Sequence, residues 1–215
     1  MAASPVVLGL DYGGTKIAAA VCDLAGEQLA SATVASDGAL GAQASFGRGI
    51  RVARDLLSTT APDGELVAVG VSTFGIPFED RVELAPAIDG WDSLAMGREL
   101  RAAFAGAQIR MATDAKAAAR AEVRWGALAG CDPAVYLNLG TGLAAAIVIG
   151  GQVVAGVNGA AGEIGYNLRS IADVGRALDQ RTLLEHMASA WPLIMCSSST
   201  RWSSARPTSA TERRL

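Results

Sequence analysis

The sequence predicts an α/β protein of two lobes, and three observations predict it. Apolar runs of strand length alternate with segments of helical period from Val6 to Ile149. A strand, glycine-rich turn, strand arrangement occurs twice, around Gly13-Gly14 and around Gly140-Thr141-Gly142, as a weak internal repeat. The 215 residues are 51% hydrophobic with a mean hydropathy of +0.30. That is ample for a buried core, and with domains commonly about 100–150 residues long, the chain holds one large domain or two small lobes.

Val6 to Leu10, Ile17 to Cys22 and Gln28 to Val34 read as successive strands of a meander, the last two joined by the turn Asp23-Leu24-Ala25-Gly26. Phe46, Ile50, Ala53 and Leu57 then recur at helical spacing, with Arg48, Arg51 and Asp55 facing away. Leu66 to Val71 is a fourth strand, and the segment Ser72 to Pro77 after it is a loop at a strand's C-terminal end, where α/β sheets bind ligands. A second helix is expected to open at Trp91-Asp92-Ser93, capped by Asp92 or Ser93, with Met96, Leu100 and Phe104 as its stripe. Gln108 to Ala112 is a short strand leading through Thr113-Asp114 into an alanine-rich helix that reaches about Leu128. Val135 to Leu139 and Leu143 to Ile149 are strands flanking Gly140-Thr141-Gly142. Nine of the 25 residues from Trp191 to Leu215 are Ser or Thr and four are Arg, so that stretch reads as a disordered tail or non-native sequence.

Charge and cysteine content narrow the function classes. Eighteen Lys+Arg against 21 Asp+Glu give a net charge of −3, so no overall field favours nucleic acid or an anionic membrane. The expected partner is a small molecule or another protein. Only Lys16 and Lys116 are lysines, and both lie in candidate site motifs. Cys22, Cys131 and Cys196 fit neither a disulfide framework nor a metal knuckle, which makes a reducing cytoplasm the default. No signal peptide or membrane span is read.

The first glycine turn carries the most chemistry. In Asp11-Tyr12-Gly13-Gly14-Thr15-Lys16, two glycines are expected to take positive φ and bring N–H groups close to an anion, Thr15 adds a donor and Lys16 a point charge. Asp11 would repel phosphate unless a cation lay between, which makes it an outer ligand for Mg²⁺. The plain alternative is a Gly-Gly hairpin turn capped by Asp. Neither G-x-G-x-x-G nor the P-loop fits, because Ile17 to Val21 reads as a strand where both need a helix. Asp114, between a strand and a helix, has two readings also: an N-cap, or a general base taking a proton from an attacking hydroxyl. Glu163 sits among glycines and small residues, and either braces its own loop or accepts hydrogen bonds from adjacent sugar hydroxyls.

A strand, glycine turn and strand led by an aspartate is similar to the phosphate hairpin of the actin-like ATPase fold. More narrowly, Asp11 to Lys16 resembles the first phosphate motif of the ROK family of bacterial sugar kinases and their repressor relatives. Leu139-Gly140-Thr141-Gly142 with Gly150, then Asn158-Gly159-Ala160-Ala161-Gly162-Glu163-Ile164-Gly165, resembles that family's L-G-T-G and N-G-A-A-G-E-I-G-H segments. Thr113-Asp114-Ala115-Lys116 corresponds to its N-D-A-N and Ala85 to Trp91 to its A-P-N-L-x-G-W. The resemblance runs from about Val6 to Leu168.

It implies an actin-like (ribonuclease H-like) α/β fold and a glucokinase-like reaction using ATP and Mg²⁺ on a small-molecule hexose. Asp114 would be the base. Phosphate contacts would come from Asp11, Gly13, Gly14, Thr15, Lys16, Gly140, Thr141 and Gly142, and sugar contacts from Gly75, Asp114, Asn158 and Glu163. The alternative is a non-catalytic sugar-binding or regulatory relative, or a remnant without function. A repressor would need a helix-turn-helix, and only Met1 to Pro5 precede the first strand, so DNA binding is not expected. A homodimer remains open.

Departures are equally specific. Tyr166 stands where the family has His, Thr113 where it has Asn, and the family's cysteine-rich zinc knuckle has no counterpart, so no zinc is expected. His186, the only histidine, reads as a helix-surface residue. The pattern stops soon after Leu184, so the chain reads as a kinase cut short near Ala188 to Trp191. The expected organisation is an N-terminal α/β lobe over 1–112, a partial second lobe over 113–190 with the Gly-Thr-Gly turn and sugar loop, and the atypical tail over 191–215.

Overall fold

The structure, a computed structural model, describes residues 4–140, 142–168, 170–177, 183–184, 193–196 and 202–204. The chain divides into two compact units, Met1–Asp114 and Ala115–Leu215.

The first unit is built on β1 (Pro5–Tyr12), β2 (Lys16–Asp23), β3 (Gln28–Ala35), β4 (Glu65–Thr73) and β7 (Gln108–Thr113), in the order β3-β2-β1-β4-β7. β1 to β3 form an antiparallel meander, while β1, β4 and β7 are parallel. Alternation along β1 buries Leu8, Leu10 and Tyr12 against α1 (Ala42–Thr60) and leaves Gly9 and Asp11 on the more open face. Gly49 is what lets α1 sit so close, because a Cβ there would lie 2.5 Å from the Tyr12 ring. Tyr12 stacks on Phe46 (centroids 5.1 Å) and Trp91 on Phe74 (4.8 Å). Each such pair contributes ~0.5–1.5 kcal/mol beyond its area. Between β4 and β7 lie the short hairpin of β5 (Ile76–Pro77) and β6 (Val82–Glu83), and then α2 (Met96–Ala103).

α2 starts later than its sequence suggests. Trp91 is fully buried among Tyr12, Phe46 and Phe74, and residues 91–95 run in successive turns that deliver it there. The N-cap is Ala95, with no side-chain cap, so neither Asp92 nor Ser93 serves. Phe104 follows the helix as its C-cap residue, still buried.

The second unit begins in α3 (Asp114–Trp125), which ends before Gly126 rather than at Leu128. Its sheet has the order β10-β9-β8-β11-β12, from β8 (Ala134–Leu139), β9 (Leu143–Ile149), β10 (Gln152–Val153), β11 (Leu193–Cys196) and β12 (Trp202–Ser204), all antiparallel. Ala115, Ala119, Leu128, Ala134, Tyr136, Ala146 and Val148 form its core. Within 191–215, two short strands are described. Leu193–Cys196, an apolar tetrapeptide, pairs with β8, and Trp202–Ser204 pairs with it in turn; the high Ser content around them masked both. The rest of that stretch lies outside the described residues, as does His186. Cys131 is disulfide-bonded, against the expectation of no disulfide, while Cys22 is a free thiol.

Candidate functional site

Register across the parallel strands assembles the first part of the site. Asp11 on β1 lies opposite Ser72 on β4, which lies opposite Ala112 on β7; one residue further, Tyr12, Thr73 and Thr113 form the next row. That second row is buried and pinned where the Trp91 indole N–H donates to Thr73 Oγ1 at 3.2 Å. Just beyond it the chain leaves all three strands at one edge, into the Gly13-Gly14 turn, the Gly75 loop and Asp114. This is the C-terminal edge of the parallel trio, where open α/β sheets hold ligands.

Asp11 is exposed, and its Oδ1 accepts a 2.6 Å hydrogen bond from Ser72 Oγ. A bond this short to a carboxylate is charge-assisted and orients the group. Asp11 keeps a second carboxylate oxygen, Oδ2, of the kind Mg²⁺ accepts directly or through water. One exposed carboxylate is a donor that Mg²⁺ would take with water completing its shell. Ser72 was read only as the start of a loop; its one signal was a hydroxyl closing an apolar strand.

The glycine turn behaves differently from expectation. Neither Gly13 nor Gly14 takes positive φ. Gly13 is required by close approach instead: its N–H donates to the Lys16 carbonyl at 2.9 Å, and a Cβ would sit 2.9 Å from that same oxygen. Gly14 is open enough that a Cβ would meet Ala87 Cβ at an ordinary 3.6 Å. Buried Ser36, just past β3, donates from Oγ to the Gly14 carbonyl at 2.7 Å and from its N–H to the Thr15 carbonyl at 3.0 Å. A peptide's C=O and N–H point oppositely, so these two bonds direct the N–H groups of Thr15 and Lys16 away from Ser36. Gly14, Thr15 and Lys16 are all exposed. Ser36 was not singled out in the sequence, because a serine after a strand carries no motif.

Asp114 is exposed as the first residue of α3. Gly75, with φ +78°, turns the chain from β4 into β5, and a Cβ would meet the Glu83 carbonyl and Ala85 Cβ at 2.7 Å each.

In the second unit, β8 and β9 form an antiparallel hairpin whose turn is closed by Gly140 N–H donating to the Gly142 carbonyl at 2.9 Å. It is the counterpart of the β1–β2 hairpin closed by Gly13. Thr141 lies outside the described residues. Asn158 is exposed in a turn after β10. Glu163 precedes a single 3-10 turn, Ile164–Tyr166, and neither of its two readings anticipated its partner. Lys116 Nζ lies 2.9 Å from Glu163 Oε1, with the lysine side chain 4% and the glutamate 14% exposed. Among the described residues no three His, Cys, Asp or Glu side chains are grouped to hold a metal ion, and no helix is long and apolar enough to cross a membrane.

The sequence pattern of the ROK family matches residues 7–182. The chain belongs to the ROK family. A glucokinase of Streptomyces coelicolor is similar to it, 33% identical over 174 residues that are 78% of this chain and 51% of the relative. Kanosamine kinase of Amycolatopsis mediterranei is 29% identical over 191 residues, 86% of this chain and 60% of the relative. The crystal structure of a ROK family glucokinase from Streptomyces griseus, in complex with glucose and AMPPNP, superposes with a TM-score of 0.64 at 32% identity, covering 77% of this chain and 51% of that one. The fold is thus the α/β actin-like ATPase fold of the ROK sugar kinases. The chain spans about half the length of the curated glucokinase it matches.

Proposed function

We propose that this ROK chain is the part of an ATP-dependent sugar kinase that holds the phosphate hairpin, the base and the sugar loop, for transfer of the γ-phosphate to a hexose hydroxyl. The observation that carries the reading is the register of β1, β4 and β7, which brings Asp11 and Asp114 out at one sheet edge, two strands apart. Two strand spacings are ~10 Å, enough to keep an acid that attracts a cation away from an acid that takes a proton. The glucokinase likeness and the AMPPNP and glucose of the Streptomyces griseus structure support the choice of nucleotide and sugar.

In this reading the N–H groups of Thr15 and Lys16, with the Lys16 ammonium, receive phosphate oxygens, and Gly140, Thr141 and Gly142 supply a second phosphate turn. Asp11 holds Mg²⁺ through water, and the ion's chemistry is neutralisation of phosphate charge. Asp114 accepts the proton of the attacking hydroxyl, and Gly75, Asn158 and Glu163 hold the sugar. No zinc is required.

The test is a coupled ADP-release assay with MgATP and a panel of hexoses, alongside calorimetric hexose titration. Turnover with at least one hexose supports the kinase; hexose binding without turnover favours the sugar-binding, non-catalytic alternative. Elemental analysis finding one tightly held zinc per chain would remove the zinc-free reading.

A further inference from the structure

The pair of buried Lys116 and part-buried Glu163 is unexplained by folding requirements alone. Lys116 is 3% exposed in the first turn of α3, the positive end of a helix and the least favourable place for an ammonium group. Lysine is almost never buried unless paired, and removing it from water is costly before any partner is found. A neutral side chain would serve the helix better, which directs attention to the carboxylate the lysine meets, Glu163.

The loop carrying Glu163 does not depend on the pair for its course. The Gly162 carbonyl accepts N–H bonds from Ala145 on β9 and from Ile164, both at 2.7 Å, so the backbone is already tied to the sheet on one side of Glu163 and turned on the other. What Lys116 governs is the carboxylate itself. With Oε1 engaged at 2.9 Å, the side chain loses its rotational freedom before any ligand arrives.

We propose that Lys116 is a positioning residue for the sugar site, fixing Glu163 so that Oε2 alone is presented to a hydroxyl donor of a neutral hexose. This rests on the sugar-kinase reading of the Glu163 loop. An ionised carboxylate only accepts hydrogen bonds, so the position it faces on the sugar must carry a free O–H or N–H. The pair has no net charge, which matches an uncharged sugar and gives an anionic substituent at that position nothing to bind. Preorganising the acceptor in this way turns rotamer entropy that a mobile glutamate would lose on binding into affinity.

The experiment is a double-mutant cycle on the full 215-residue chain, read by calorimetric titration with D-glucose and D-mannose and by thermal melting. Lys116→Met should weaken hexose binding tenfold or more in the wild-type background but less than twofold when Glu163 is already Gln, because the positioning effect runs through that carboxylate. Melting should fall for Lys116→Met, which strands a buried charge, and recover in the Lys116→Met, Glu163→Gln double variant, which has none. Recovery of the fold in the double variant keeps the cycle readable if the single variant is poorly folded. Unchanged hexose affinity in Lys116→Met, or an equal loss in both backgrounds, overturns the positioning role while leaving the sugar site standing. Absence of binding of either hexose to the wild-type chain overturns the sugar-kinase reading and this inference with it.

Discussion

Ser36 and Gly14 are joined by a 2.7 Å hydrogen bond from the serine hydroxyl to the glycine carbonyl, and the Ser36 amide takes the next carbonyl, Thr15, at 3.0 Å. One residue outside the glycine motif thereby sets two consecutive peptide planes. The shape of the phosphate hairpin follows from this bracket and from the Gly13 to Lys16 closure, with no left-handed glycine needed.

Replacing Ser36 by Ala removes the hydroxyl bond and keeps the amide one. A net ~1 kcal/mol is expected, a melting decrease of about 2–4 °C for a chain of this size, together with a several-fold weaker MgATP affinity. Calorimetric titration with MgATP checks it. Wild-type affinity in the variant would mean that the Gly13 closure alone aims the Thr15 and Lys16 amides.

The seven longer strands, β1 to β4 and β7 to β9, and both glycine hairpins were legible in the sequence as apolar or β-branched runs bounded by turn residues, while pairing order was read only for the β1–β3 meander. What was not legible is tertiary in origin. The start of α2 is displaced because burial of Trp91 in the ring cluster outweighs a capping pattern at Asp92-Ser93. Ser36 and Ser72 carry no motif, and their role arises only when strands far apart in sequence come into register. Lys116 was noticed as one of only two lysines in candidate motifs, but its partner lies 47 residues away, beyond any local spacing rule. Glycine was overread in the opposite direction, since Gly13 is there for space and not for φ.

Tyr12 supplies a pH test of the first unit. Burial, and secondarily the charge of Glu99, push its phenol well above its ordinary value, and its hydroxyl donates to the Phe46 carbonyl at 3.2 Å. The folded state therefore keeps the proton at pH values where the unfolded chain releases it, near pH ~10, so stability is complete below that and falls as pH rises. Tyr12→Phe should cost ~1 kcal/mol at pH 8 through the lost bond and escape the alkaline loss of ~1.4 kcal/mol per pH unit. The two melting curves should meet about one unit above pH ~10. A constant gap from pH 8 to 11 would show that the phenol ionises freely in the folded protein.

Gly162 tests the anchoring of the sugar loop. Its φ is +87°, and a Cβ would collide with the Ala145 carbonyl, a rigid backbone group of β9. Gly162→Ala must displace the loop from the strand, at ~2–4 kcal/mol, and should lower melting while abolishing measurable hexose binding. A variant that melts and binds hexose like wild type would mean the loop is not held through Gly162.

Asp114 is the position where a structural and a chemical role can be separated by one substitution. As the exposed first residue of α3, its charge is favoured by the helix N-terminus by ~0.3–1 kcal/mol, and asparagine fills helix starts almost as well. Asp114→Asn therefore removes the proton acceptor while leaving the helix start nearly intact. If Asp114 is the base, phosphotransfer should fall by ~10²-fold or more, with melting lowered by no more than a few degrees and hexose affinity changed little. Side-by-side ADP-release assays and hexose titrations of wild type and variant decide it. Equal turnover would assign Asp114 to the helix alone, and a parallel loss of turnover and hexose affinity would make it a sugar-holding group rather than the base.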